Sequence, residues 1–248
     1  MSGHSKWATI HRAKEIKDAA RGNLFSKIAR AIQIAVKSGG GPSPDSNFKL
    51  RVAIDKAHAA NMPKDNIERA IVRAQEAGDL QEITYEGFAP SGVGVLVEVA
   101  TDNKNRTAQE IKNIFERAGG SLAGPGAVSY NFESKGFLVI KKDADPQAQM
   151  LSLIDQGVED MEETDDGIEI YVSPDKLSET KKKLDEGGFS VISFEPIMRP
   201  INYVSIKDTN TASKVLGFLD TLNEQEDVQK VYANLEVPDQ PGPDTNAP

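Results

Sequence analysis

The chain has 248 residues, enough for two or three compact units, and its 38% hydrophobic and 27% charged content is that of a globular protein in water. It contains no cysteine, which excludes disulfide frameworks, thiolate metal cages and cysteine nucleophiles, and no run approaches the roughly 20 apolar residues of a membrane span. The net charge of -9 hides a division: residues 1–78 carry 14 Lys and Arg against 7 Asp and Glu, and residues 79–248 carry 15 against 31.

The first 37 residues hold 8 of those cations and only 2 carboxylates. Lys6, Trp7, His11, Arg12, Lys14, Lys17 and Arg21 form a basic leader; as a helix it would place Lys14, Lys17 and Arg21 on one face, where they can follow a phosphate backbone together. Trp7, the only Trp, either stacks on an unpaired base or anchors the leader to the domain behind it. Over residues 24–36 the period of Phe25, Ile28, Ile32 and Val36 predicts an amphipathic helix with Lys27, Arg30 and Lys37 on its back. Ile34 falls on that basic side, so the preceding segment is expected to cover part of it. The Gly39-Gly40-Gly41-Pro42 run ends the helix. A second helix follows from about Asn47, and a third opens at Pro63 and runs towards Gly78, with Asn61 as a candidate cap. On this third helix Lys64, Arg69 and Arg73 either extend the basic surface or make ordinary helix pairs, such as Asp65 with Arg69. Residues 1–78 thus read as a basic all-helical domain with a flexible leader.

Beyond Gly78 the period changes to that of strands. Strands are predicted at 83–88, 93–99 and 127–132, with a helix from about Arg106 to Ala118 between the last two. Residues 134–200 then spell a complete βαββαβ unit, and 202–207, 211–222 and 228–235 read as strand, helix and strand. The economical fold class is α+β: an N-terminal helical domain plus two ferredoxin-like (split βαβ) α/β domains, one (134–200) inserted in the other (79–133 plus 201–238). Residues 239–248 read as a disordered tail. The loop 102–107 lies before a helix start, so Lys104 and Arg106 can receive a phosphate there, unless Asn105 is simply an N-cap. The carboxylates Glu159, Asp160, Glu162, Glu163, Asp165, Asp166 and Glu169 lack the spacing of a calcium loop and read as a solvated acidic hairpin that repels nucleic acid.

Four stretches, in order, carry a resemblance: Gly3-His4-Ser5-Lys6-Trp7; Ala60-Asn61-Met62-Pro63 followed by Asn66-Ile67-Glu68-Arg69-Ala70-Ile71; Tyr85-Glu86-Gly87 with Gly92-Val93; and Thr101-Asp102-Asn103-Lys104-Asn105-Arg106-Thr107. Together they resemble the YebC family, which includes the mitochondrial translational activator of cytochrome c oxidase. The resemblance implies one helical and two α/β domains. It also implies a regulator of gene expression, either a transcriptional regulator on promoter DNA or a factor that acts on the ribosome and helps it through proline-rich stretches. With no Walker sequence, no nucleophile elbow and no His beyond residue 58, the expectation is a non-enzymatic protein without metal or cofactor. Ribosomal RNA is the favoured partner and DNA the alternative. A cytosolic monomer with no membrane association completes the expectation.

Overall fold

The computed structural model describes residues 20–76, 80–158, 160–164 and 166–237. The chain divides into two compact units, one built from the chain up to Asn131 and from Ile201 onward, the other from Phe132–Pro200.

In the first unit, the apolar stripe read from sequence drives three helices together: α1 (Ala20–Ser38), α2 (Phe48–Ala59) and α3 (Lys64–Glu76). Ile28, Ile32 and Val36 of α1 are buried with Leu50, Ala53 and Ala57 of α2 and Ile67, Ala70 and Ala74 of α3. Small residues on α2 and α3 let both helices lie close to α1. Asn47 is fully buried; its side chain accepts the Leu50 N–H at 3.0 Å, capping α2, and donates to the carbonyls of Ala35 and Gly41, each at 2.7 Å. Asn61 does not cap α3. It takes φ 56°, its N–H donates to the His58 carbonyl and the N–H of buried Met62 donates to Ala57, so Asn61-Met62 is the left-handed stop of α2.

The same unit contains β1 (Gln81–Phe88), β2 (Gly94–Thr101), α4 (Lys104–Arg117) and β3 (Ser121–Ala123). The second unit contributes β4 (Phe132–Ile140), α5 (Pro146–Asp155), β5 (Asp160–Thr164), β6 (Gly167–Val172), α6 (Leu177–Glu186) and β7 (Val191–Pro200). The chain then returns to the first unit through β8 (Val204–Ser205), α7 (Thr209–Glu224), β9 (Val228–Ala233) and β10 (Leu235–Glu236). The first sheet has the order β3-β1-β2-β9, antiparallel throughout, and the second has the order β5-β6-β4-β7, the split βαβ arrangement. In the first unit α4 and α7 cover the sheet face of Val95, Val97, Val99, Val231 and Ala233, with Phe115 and Phe218 meeting edge to face at 5.0 Å.

Two strand expectations are corrected. Of the stretch 127–132 only Phe132 is in a strand, as the first residue of β4, because the buried carboxylate of Glu86 accepts the N–H groups of Gly126, Val128 and Ser129 at 2.8–2.9 Å; the third strand of this sheet is instead the short β3. The strand expected at 202–207 shrinks to β8, which pairs in parallel with β10 outside the main sheet. Gly87 is required by close approach: a Cβ there would lie 2.5 Å from the Phe115 ring and 2.6 Å from the Ser121 carbonyl.

Candidate functional site

The polar back of α1 decides how the helical domain is held. Asn23, Lys27, Arg30 and Ile34 recur at spacings of four, three and four, which places them along one stripe. That stripe meets the C-terminal end of α7. Asn23 donates to the Glu224 carbonyl at 2.6 Å, and Lys27 donates to the Asn223 carbonyl. A helix C-terminus carries unpaired carbonyls and partial negative charge, and the last turn of α7 has no basic residue of its own. Lys27 of α1 supplies that positive charge, and the Asn23 amide supplies a neutral donor beside it. Ile34 is half-buried on the same stripe, and the preceding segment expected to cover it lies outside the described residues.

One heptad along, Arg30 donates to the Glu226 carbonyl at 2.8 Å, to the Glu226 carboxylate at 2.8 Å and to Asp227 Oδ1. The Asp227 side chain is 2% exposed, and other donors meet it there. Thr107 Oγ1 donates to Oδ2 at 2.6 Å, and Arg106 Nη2 reaches Oδ2 at 3.0 Å while also pairing with Asp102 at 3.1 Å. The Thr101 hydroxyl lies 2.8 Å from that of Thr107 and accepts the Asn103 N–H at 2.9 Å. The side chain of Gln225 accepts the N–H groups of Asp227 and Val228 at 2.7 and 2.9 Å, fixing the turn into β9. Burial alone would push the Asp227 carboxyl up; the hydrogen bonds from Thr107 and Arg106 and the charges of Arg30 and Arg106 together hold it below the usual aspartate value.

These contacts reassign several residues. Lys27 and Arg30, both expected on the phosphate-facing surface, donate to the α/β part. Arg106 is likewise held by Asp102 and Asp227. The N-cap of α4 is Asn103, which accepts the Arg106 N–H at 3.1 Å, and not Asn105. Lys104 is exposed, and its carbonyl accepts from Tyr85 at 3.4 Å. Lys37 is exposed at the end of α1. Lys64 is exposed and pairs with Glu68 at 3.5 Å. Arg69 donates to the Asp65 carbonyl at 3.1 Å and to Asn66 Oδ1 at 2.6 Å, the local helix role weighed for it, although its partner is the backbone of Asp65. Arg69 and Arg73 nevertheless stand one turn apart on the rim of an open groove of about 850 Å³ between α1 and α3, floored by Phe25, Met62 and Ala70. Lys6, Trp7, His11, Arg12, Lys14 and Lys17, and the side chain of Arg21, lie outside the described residues.

In the second unit the acidic hairpin is only partly solvated. Glu169 is buried and accepts from Tyr171 at 2.7 Å, Asp160 pairs with Arg199, and Arg199 lies 3.9 Å above the Tyr171 ring. Glu162 stands directly across from Glu169. Burial, then the charge of Glu169, push the Glu162 carboxyl up to about 7. Among the described residues no group of three or more His, Asp and Glu converges as a metal-binding set, and no helix is long and apolar enough to cross a membrane.

Three of the four motifs therefore sit at positions with structural reasons, a helix stop at Asn61-Met62, a carboxylate clamp and a close approach at Glu86 and Gly87, and a buried hub at Thr101 to Thr107, while Gly3 to Trp7 lies outside the described residues. Family models match on both sides of residue 78: the TACO1/YebC protein N-terminal domain over residues 5–77, and the TACO1/YebC second and third domain over residues 80–235. The chain belongs to the TACO1/YebC family. Among relatives in the TACO1/YebC family, a protein of Geobacillus sp. strain WCH70 is 46% identical over 95% of this chain and 98% of its own. One of Thermotoga petrophila is 47% identical over 96% and 95%. One of Dictyoglomus thermophilum is 45% identical over 97% and 98%. All three are named probable transcriptional regulatory proteins. The crystal structure of a conserved hypothetical protein from Aquifex aeolicus, 41% identical, superposes with a TM-score of 0.83 over 90% of this chain and 93% of that one.

Proposed function

We propose that this TACO1/YebC chain is a regulator of gene expression that works by binding nucleic acid and not by catalysis. The observation that carries the reading is the division of charge, 14 cations against 7 carboxylates in residues 1–78 and the reverse imbalance beyond them, which confines a polyanion to the helical end. The contacts of Lys27, Arg30 and Arg106 move the proposed binding surface to the leader cations Lys6, Arg12, Lys14, Lys17 and Arg21, with Lys37, Arg69 and Arg73 as its extension on the helices. Two nucleic acids fit. The names of the relatives support DNA, and α2 and α3, joined by the four residues 60–63, have the connection length of a helix-turn-helix. Against a reading helix, Asp65 and Glu68 stand among the cations of α3. Trp7 within the basic leader supports the second reading, ribosomal RNA, because loops and bulges offer unpaired bases for stacking and duplex DNA does not.

The test is binding as a function of salt, by sedimentation with ribosomes and by titration of promoter and random duplexes. Each phosphate contact contributes a slope of about -0.7 to -0.9 in log K against log salt, so the triple variant Lys14→Ala, Lys17→Ala, Arg21→Ala should bind more weakly and with a slope flatter by about 2 to 3. Unchanged affinity and slope in a folded triple variant would remove the leader from the binding surface. A preference of about 10³ or more for one promoter duplex, without ribosome association, selects DNA. A Trp7→Ala loss of about 1 to 3 kcal/mol in ribosome association alone, at unchanged thermal stability, selects RNA.

A further inference from the structure

We propose that Arg30, Arg106, Thr101 and Thr107 form an internal oxyanion cradle that the chain fills with its own Asp227, and that this filled cradle locks the helical domain onto the first sheet, β3-β1-β2-β9. The donor set is the kind that recognises phosphate or carboxylate: two guanidinium groups and two hydroxyls, those of Thr107 and Thr101 lying 2.6 and 3.4 Å from Asp227 Oδ2. Arg106 and Thr107 come from α4, Thr101 from the end of β2, Asp227 from the lead into β9, and Arg30 alone from the helical domain. The lock is reinforced on one side by the backbone, since the Ala100 N–H donates to the Asp227 carbonyl at 2.8 Å. On the other side Arg30 also reaches the Glu226 carbonyl and carboxylate. A phosphate from outside cannot enter while the carboxylate, 2% exposed, is in place. Arg106 of the loop 101–107 accordingly serves an internal anion, and through Asp227 it helps to set the pose of α1.

Two consequences separate this lock from an ordinary surface ion pair. Removing Asp227 should uncouple the helical domain from the first sheet, and it should leave a vacant anion site of known shape. In the full chain, Asp227→Ala is expected to lower the first thermal midpoint by about 5 °C or more and to make the helical domain unfold in a separate, earlier step. Backbone amide exchange in α1 and at the C-terminal end of α7 should rise, with β6 and α6 unchanged as an internal reference. Sodium formate, which supplies the missing carboxylate, should raise the first midpoint of the variant more than sodium chloride at equal ionic strength, and should not do so in the unmodified chain. A midpoint and a single transition unchanged by Asp227→Ala, or formate acting no better than chloride, overturns the proposal. Should Asp227→Ala fail to fold, Thr107→Val and Arg30→Gln replace it, with faster exchange in α1 as the expected result and unchanged exchange as the contrary one. None of these readouts involves nucleic acid, so the lock stands or falls separately from the proposed function.

Discussion

Asp227 in the first unit and Glu162 in the second are both carboxylates drawn out of water beside a strand, and the protein shifts them in opposite directions. Around Asp227 the donors outnumber the acceptor: Arg30, Arg106 and Thr107 converge on one group, and together they outweigh burial. Around Glu162 the acceptors outnumber the donors, because Glu169 lies directly opposite and Asp160 shares Arg199. Burial and like charge then add instead of cancelling, and the proton is retained to about pH 7. Burial by itself therefore does not tell a stabilising carboxylate from a destabilising one; the count of converging donors does.

The contrast breaks most visibly at Arg30. Replacing it by Ala leaves Asp227 buried with a donor lost, which by analogy with other one-sided deletions should cost about 3 kcal/mol in the urea unfolding of the first unit. A cost below about 1 kcal/mol would mean that Arg106 and the threonines suffice.

The opposite sign is expected at Glu162. Its folded pKa is raised, so between the ordinary value of 4.5 and about 7 the folded state holds a proton that the unfolded chain has released, and stability falls as pH rises through that window. Glu162→Gln should flatten that fall, leave stability at pH 4 unchanged and raise it at pH 8 by about 1 kcal/mol, partial exposure screening the rest. Thermal melts of both proteins across pH 4–8 check it, and equal pH profiles would contradict it.

The smallest effect belongs to a pair with no burial. Lys183 and Glu179 on α6 are 2.8 Å apart and mostly exposed, and Lys183→Ala should leave the thermal midpoint essentially unchanged. A clear loss would show that charge pairing itself, and not desolvation, governs the other two sites.

Much of the fold could be read from the chain because it rests on local periods. The stripe Phe25, Ile28, Ile32, Val36 reports which face of α1 is buried, and the run Ile168 to Val172 marks a strand that turns out to be buried on both faces. Strand β3 leaves no sequence signal because three residues carry no period, and 127–132 looks like a strand because of its apolar ends while its N–H groups are claimed by Glu86, about 40 positions earlier. The hub was illegible for a similar reason. Arg30 and Arg106 are conspicuous cations, but their partner lies in Glu224-Gln225-Glu226-Asp227, which reads as a solvated turn. Glu169 was within reach: it alternates with buried Ile168 and Ile170 and so shares a face with Tyr171.

The insertion has a thermodynamic side as well. β4 and β7 begin and end opposite each other, Phe132 against Pro200, and just beyond them the Ile201 N–H donates to the Asn131 carbonyl at 2.7 Å. To the host chain, the 69 residues of Phe132–Pro200 are a loop whose ends must meet before α7 and β9 can join the sheet. For a flexible loop of that length the length-dependent part of closure is about 4 kcal/mol of entropy. An insert that folds by itself brings its ends together as it folds, so the host experiences a short clasp in place of a long tether. Destabilising the second unit should then slow the folding of the first, although the substituted residues belong to a different core.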